Sequence, residues 1–188
     1  MMSTLMRWVG LVAMSLALTS CELPTLEQLI ERIPPVTRIG REPPPAPASD
    51  SNAQSATTAE MEALVYERIN DIRQQEGLNA LEPNGALAEV ARQYSQRMAE
   101  ENFFGHISPT GDSPAERVSN ANIPYWVVGE NLFTSTNAPD PAPLAVQSWM
   151  DSPGHRANIV RSSFTETGVG VWQRGSTFYF TQLFMRPL

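Results

Sequence analysis

The sequence predicts an α+β fold, one domain from about Ala59 to Leu188 within a chain of 188 residues. Three observations carry this. Apolar residues recur at helical spacing over the first part of that span. β-branched and aromatic runs dominate its last part, two of them split by a turn signal. Ahead of both, residues 34–58 turn to Pro, Ala, Ser, Thr and Asn and lose all periodicity. Helices early and an antiparallel sheet late is the order in which helices pack onto a sheet, and the span is long enough to bury a real core.

The chain opens with Arg7 and an apolar run from Trp8 to Leu18, ending Leu18-Thr19-Ser20-Cys21. A basic residue before so short a run is the core of a secretory signal, well below the ~20 residues that span a bilayer. The ending resembles the bacterial lipoprotein box. That resemblance implies a signal over residues 1–20, cleavage before Cys21 and lipidation of Cys21, which anchors the protein to a membrane. Stacked acyl chains at ~0.8 kcal/mol per buried methylene hold such an anchor stably. Cys21 is the chain's one cysteine, so that use leaves no disulfide and no catalytic thiol. Thr25-Leu26-Glu27-Gln28 fits a capping box, with Leu23, Leu26, Ile30 and Ile33 at helical spacing behind it. From Pro34 to Thr58, with Glu42-Pro43-Pro44-Pro45-Ala46-Pro47 at its centre, the composition is that of a disordered tether. Where polyproline-like, at ~3.1 Å per residue, it reaches ~75 Å.

Within the domain, Thr57-Thr58-Ala59-Glu60 fits a capping box. Met61, Leu64, Val65, Ile69 and Ile72 form the stripe of a first helix that ends at Gly77. Asn84 caps a second helix, with Leu87, Val90, Ala91, Tyr94 and Met98 on one face. A third begins at Ser113-Pro114 and runs to about Ser119, with Ser113 as its cap; a fourth covers Pro143 to Met150. Strands are expected from Trp126 through Glu130 to Phe133, over Thr167–Gln173 and over Thr177–Phe184, the last two joined at Arg174-Gly175-Ser176. In the final strand Phe178, Phe180 and Leu183 are expected on one face, Tyr179 and Thr181 on the other. Trp126, Trp149 and Trp172 read as core. Tyr125 and Phe133 are candidates to border a groove.

All basic charge is arginine, and the formal net charge is −7. Loss of Arg7 with the signal leaves 12 basic against 20 acidic residues, a net −8. That balance argues against nucleic-acid binding, which needs clustered cations.

Two histidines are present. His106 lies in Asn102-Phe103-Phe104-Gly105-His106, His155 in Ser152-Pro153-Gly154-His155-Arg156-Ala157-Asn158-Ile159, and Gly129-Glu130-Asn131 stands between them. With Asn70, Gly77-Leu78, Trp149, Gly168-Val169-Gly170 and Thr181-Gln182 in order around them, these motifs resemble the CAP superfamily of cysteine-rich secretory, antigen 5 and pathogenesis-related proteins. The match is to its bacterial, cysteine-poor, SCP-like branch. The resemblance implies a three-layer α-β-α sandwich around a mostly antiparallel sheet, with His106, Glu130 and His155 lining one cavity. The family often adds a second acid on the helix before the last histidine. Here Asp151 is the nearby acid and Ser152 stands about where that acid is expected; Glu116 is a further local carboxylate that no motif assigns.

Two imidazoles and a carboxylate form a known catalytic zinc set, which makes His106, His155 and Glu130 candidate metal ligands and Glu130 the candidate catalytic base. No cofactor is required by the sequence, and no His-Glu-x-x-His helix fixes two ligands on one face. Ser108 and Ser152 lie near the histidines without a nucleophile elbow; Asp112 belongs to a turn. Arg156 and Asn158 read as loop anchors. The expectation is an extracytoplasmic, lipid-anchored module of the cell envelope that binds or scaffolds. The resemblance implies lipid, protein or cell-wall material as its partner. The rival reading is a metal-assisted hydrolase using the His/Glu site.

Overall fold

The computed structural model describes residues 56–188. The expected signal, Cys21, the helix near residues 25–33 and the tether up to residue 55 lie outside the described residues.

Helix α1 spans Ala56–Gln75. It starts three residues ahead of the expected boundary, so Thr57 and Thr58 form part of its first turn and do not cap it from outside. Thr58 is buried. The stripe falls as its spacing requires, with Val65 and Ile69 fully buried and Met61, Leu64 and Ile72 packed against them. Gly77 takes φ +74°, and the bonds Leu78 N–H to Arg73 O and Gly77 N–H to Gln74 O close a Schellman motif. The chain then enters β1 (Glu82–Pro83). This two-residue parallel pairing to Glu166 and Thr167 is too short to leave a periodic signal.

Asn84 accepts from Leu87 N–H and starts α2, Gly85–Glu100. All five residues of the expected stripe are buried. Helix α3, Pro114–Asn120, begins with a full capping box. Ser113 accepts from Glu116 N–H, and Glu116 accepts from Ser113 N–H. β2 (Tyr125–Thr136) extends past both expected ends. It leads into α4 (Pro141–Asp151) and α5 (Pro153–Ile159). The sequence pattern did not announce α5, whose seven residues are too few for an amphipathic repeat. β3 (Glu166–Arg174) and β4 (Thr177–Pro187) form the expected hairpin. Its two-residue loop puts Gly175 at φ +62°, where a side chain would be strained.

The sheet order is β1-β3-β4-β2, antiparallel except at β1. One face packs on α1, α4 and α5 through Val65, Ile69, Ala145, Trp149, Ile159, Val171, Phe180 and Phe184. The other packs on α2 and α3 through Leu87, Val90, Ala91, Val118, Leu183 and Met185, with Tyr94, Met98 and Leu132 alongside. This is the three-layer α-β-α arrangement. Leu183 belongs to the second face, not with Phe178 and Phe180, because strand residues alternate with period two. Trp149 is core, its Nε1–H donating to Leu132 O at 2.9 Å. Trp126 is not core: it stands 67% exposed, at the bulge between Tyr125 and Val127. Trp172 is half-buried. Phe133 packs edge-on against Phe180 in the core, 5.9 Å between ring centres, and Tyr125 is tied to Ala115 O.

Arg73, on the last turn of α1, is 1% exposed. Among the described residues no carboxylate pairs with it. Its guanidinium donates to four carbonyls: Asn79, Ile159, Arg161 and Phe164. Burial lowers its pKa, and the carbonyl cage at the end of α5 takes the place of water around the charge.

Candidate functional site

β2 runs along one edge of the sheet, and alternation turns Glu130 toward α2 and α3 while Asn131 faces α5. Glu130 is buried, its side chain 1% exposed. Oε1 lies 2.8 Å from His106 Nδ1, and Oε2 accepts from Arg117 Nη2 at 2.6 Å. His106 itself is 51% exposed at the side chain, on the loop between α2 and α3. Its ring centre lies 6.4 Å from that of His155. His155 is brought there by α5, which Asn158 fastens to β2 by donating to Glu130 O and Asn131 Oδ1. Asn131 in turn donates to His155 O. Gly129 makes this approach feasible, since a Cβ there would meet the Phe164 ring at 2.8 Å and Asn158 Oδ1 at 3.0 Å.

Arg117 is the residue that sequence reasoning missed. A lone arginine on a short helix carries no motif. Only its place one turn beyond the Ser113 cap, opposite Glu130, gives it meaning. Its guanidinium lies 3.3 Å above the Tyr94 ring centre and donates to His106 O and Asp112 O. One arginine therefore joins α3, the histidine loop, β2 and α2. Burial pushes the Tyr94 hydroxyl up to about 12, and that hydroxyl donates to Gly105 O at 2.5 Å. Burial alone would raise Asp112. Bonds from Ser108, Thr110 and Arg97, with the Arg97 charge, outweigh it and hold the carboxyl well below its usual range. Ser108 is thus a donor to Asp112, and the Ser108–Asp112 loop is a closed polar turn.

Among the described residues, none of the other candidates bonds its side chain to His106, Glu130 or His155. Asp151 is exposed and accepts from Gln147 on its own helix. Glu116 completes the α3 cap. Ser152 is the N-cap of α5, and its side chain makes no capping bond. Arg156 pairs with Glu76 at 2.6 Å. A cavity of about 400 Å³ adjoins the site, lined by Tyr94, Arg97, Asp112 and Arg117 among others and by none of His106, Glu130 and His155.

The His106 and His155 rings stand close to one another, with Glu130 hydrogen-bonded to the first of them. A catalytic zinc takes three protein ligands; the third candidate here, Glu130, is 1% exposed at the side chain and lies between His106 and Arg117. Among the described residues, no group of three or more His, Cys, Asp and Glu side chains is placed to hold a metal ion. His155 has its pKa lowered by burial and then by His106, which favours its neutral form.

Comparison with known proteins matches residues 66–184 to the model of CAP, the Cysteine-rich secretory protein family. The chain belongs to the CAP family. It is 36% identical over 145 residues to the uncharacterized protein YkwD of Bacillus subtilis, covering 74% of this chain and 54% of that one. The chain thus spans about half the length of that relative. Among solved structures, an extracellular SCP-domain protein of Bacillus anthracis is similar at TM-score 0.63 and 27% identity. That match covers 71% of this chain and 44% of the other. An outer surface protein of Borrelia burgdorferi shares the fold at TM-score 0.64 and 22% identity, covering 70% and 96%.

Proposed function

We propose that this CAP protein is an extracytoplasmic, lipid-anchored module that binds or scaffolds a partner and does not cleave it. The observation that carries the reading is the state of Glu130. A general base needs a carboxylate oxygen free to reach the proton it removes, and a metal ligand needs one free for the ion. Glu130 is 1% exposed at the side chain, with Oε1 on His106 and Oε2 on Arg117, so neither oxygen opens onto the outer face of the site. His106 is half exposed, and Phe104 and Ile107, which flank it in sequence, expose their side chains. Extracytoplasmic placement is supported by the signal-like start and by the extracellular and outer-surface relatives. The anchor is supported by Leu18-Thr19-Ser20-Cys21.

The test is turnover and metal content of the full chain, purified in detergent without a histidine tag. Peptide, ester and glycoside reporters are offered with and without added zinc, and Glu130→Gln is the control. The expected result is no turnover above that of Glu130→Gln and no stoichiometric metal. Turnover that falls at least tenfold in Glu130→Gln would establish the hydrolase reading instead.

A further inference from the structure

The cavity of about 400 Å³ that adjoins the site lies between α2 and α3, and its size is ordinary for a ligand pocket. α2 lines it with Val90, Gln93, Tyr94 and Arg97, which the i, i+3, i+4, i+7 spacing keeps on one face. α3 answers with Arg117, Asn120 and its C-cap Ala121, and Asp112 closes the wall from the loop between the helices. The charges here are already matched. Arg97 pairs with Glu101 at 2.8 Å and with Asp112 at 2.9 Å, and Arg117 pairs with Glu130 at 2.6 Å. Two cations therefore face three carboxylates on a chain of net charge −7, and an anion finds no surplus positive charge. A cation fares no better. Asp112, the acid of the wall, accepts from Ser108, Thr110 and Arg97 and lies 3.5 Å from Arg117 Nη1.

What the wall leaves open is a mixed set of donors and acceptors. Gln93 gives its Nε2 to Glu89 and keeps its carbonyl oxygen as an acceptor. Asn120, exposed at the end of α3, carries both a donor and an acceptor. Arg117 Nε is buried with no hydrogen-bond partner among the described residues, on a side chain only 10% exposed. Buried N–H groups without an acceptor are unfavourable and uncommon, and a ligand oxygen brought to this wall would satisfy the group. Val90 and the Ala121 methyl add aliphatic surface between these polar groups. The geometry assigns this cavity as a binding site for a neutral mono- or disaccharide. Hydroxyls both donate and accept, as Gln93, Asn120 and Arg117 together require, and ring C–H groups cover Val90 and Ala121. An extended peptide carries similar polar groups, but it is held along a strand edge, and two facing helices offer none. The assignment goes beyond the reading above and does not rest on it, since none of His106, Glu130 and His155 lines the cavity.

The ¹⁵N-labelled full chain, held in a sugar-free detergent, is titrated with cellobiose and with diacetylchitobiose, and backbone amide shifts are followed. The expected result is a saturable shift, with at least one of the two, centred on residues 90–97 and 117–121. Asn120→Ala removes a donor and an acceptor at an exposed position and should weaken binding about tenfold. Ala121→Trp fills the cavity from another exposed position and should abolish the shifts. Leu144→Ala, exposed on α4, should bind as wild type does. Sodium phosphate at matched ionic strength should leave these amides in place. No saturable shift with either disaccharide would overturn the assignment, as would stronger shifts with phosphate or wild-type binding by Ala121→Trp. Should Ala121→Trp fail to fold, Asn120→Ala decides, and unchanged affinity there would overturn it equally. Once saturable binding is seen, retention of the chain on insoluble cellulose identifies a polymer as the source of the sugar, and free passage a soluble saccharide. Turnover in the preceding experiment would sink the non-hydrolytic reading of the histidine site and leave these titrations unchanged.

Discussion

Replacing Gly170 by alanine adds one methyl group at the point where α2 lies on β3. A Cβ built there stands 2.0 Å from Arg92 N, 2.3 Å from Ala91 C and 2.5 Å from Arg92 Cα. All three are backbone atoms of a helix that cannot rotate out of the way. Restoring ordinary contact near 3.5 Å means parting helix and sheet by roughly 1.5 Å. The neighbouring Gly168 would meet the same helix at Ala88 and Leu87, so α2 cannot pivot about it. The separation would loosen Leu87, Val90 and Ala91, all buried against the sheet, and stretch the bond from Ser95 Oγ to Gly170 O, now 2.9 Å. Overpacking typically costs 1–3 kcal/mol, and rigid backbone on both sides places this case at about 3 kcal/mol. For a domain of this size that is a fall in Tm of roughly 10 °C. Gly154→Ala is the matched control. It is the same chemical change, inside α5, with nothing within 4 Å of the new Cβ, and it is expected to be neutral or to stabilise by ~0.5–1 kcal/mol. Thermal unfolding followed by far-UV circular dichroism measures both. A Gly170→Ala Tm within about 2 °C of wild type, or equal shifts in the two variants, would refute the argument from close approach.

Ser113→Ala removes one half of the α3 capping box and should cost about 1 kcal/mol, read from the urea midpoint; an unchanged midpoint would show the cap to be idle. Stability should decline in two stages on acidification. Burial, then His106, holds the His155 pKa below its unfolded value, so its contribution is present above ~6.5 and fades as pH falls below that. Asp112, also depressed, contributes above ~3.9 and loses its contribution at lower pH. His155→Gln should abolish the first stage alone, and a first stage that survives it would assign the effect elsewhere. Cys21→Ser should release the protein from membranes without changing its melting curve, measured by salt-washed membrane fractionation; retention in the pellet would sink the lipid-anchor reading.

Periodic features were legible in the sequence. The stripes of α1 and α2, the Asn84 and Ser113 caps and the Gly175 hairpin each depend on neighbours within a few residues, and each stands where its spacing put it. What was not legible depends on partners distant in the chain. β1 exists only because Glu166 and Thr167 lie beside it. Trp126 is exposed because a bulge falls beneath it. Leu183 changes face because the strand runs unbroken through it. For the site, motifs supplied His106, Glu130 and His155 but not their hydrogen-bond partners. Arg117 gives Glu130 a cationic partner, and that pairing is visible only once α3 stands opposite β2. The buried Arg73 was equally hidden, since its partners are carbonyls and any residue supplies those.

The order of strands in the sheet bears on when this protein can fold. β4 is paired along its length to both β2 and β3, yet it comes after every other described element in the chain. Until residues 177–187 are available, β2 has no hydrogen-bonded neighbour and β3 has only the two residues of β1. A nascent or translocating chain lacking that strand can form helices, but it has no sheet on which to bury them. Its closing contacts span some 40 to 60 residues, as in Thr136 with Thr177 and Tyr125 with Pro187. Such a topology keeps the polypeptide open and threadable until synthesis has passed the middle strand.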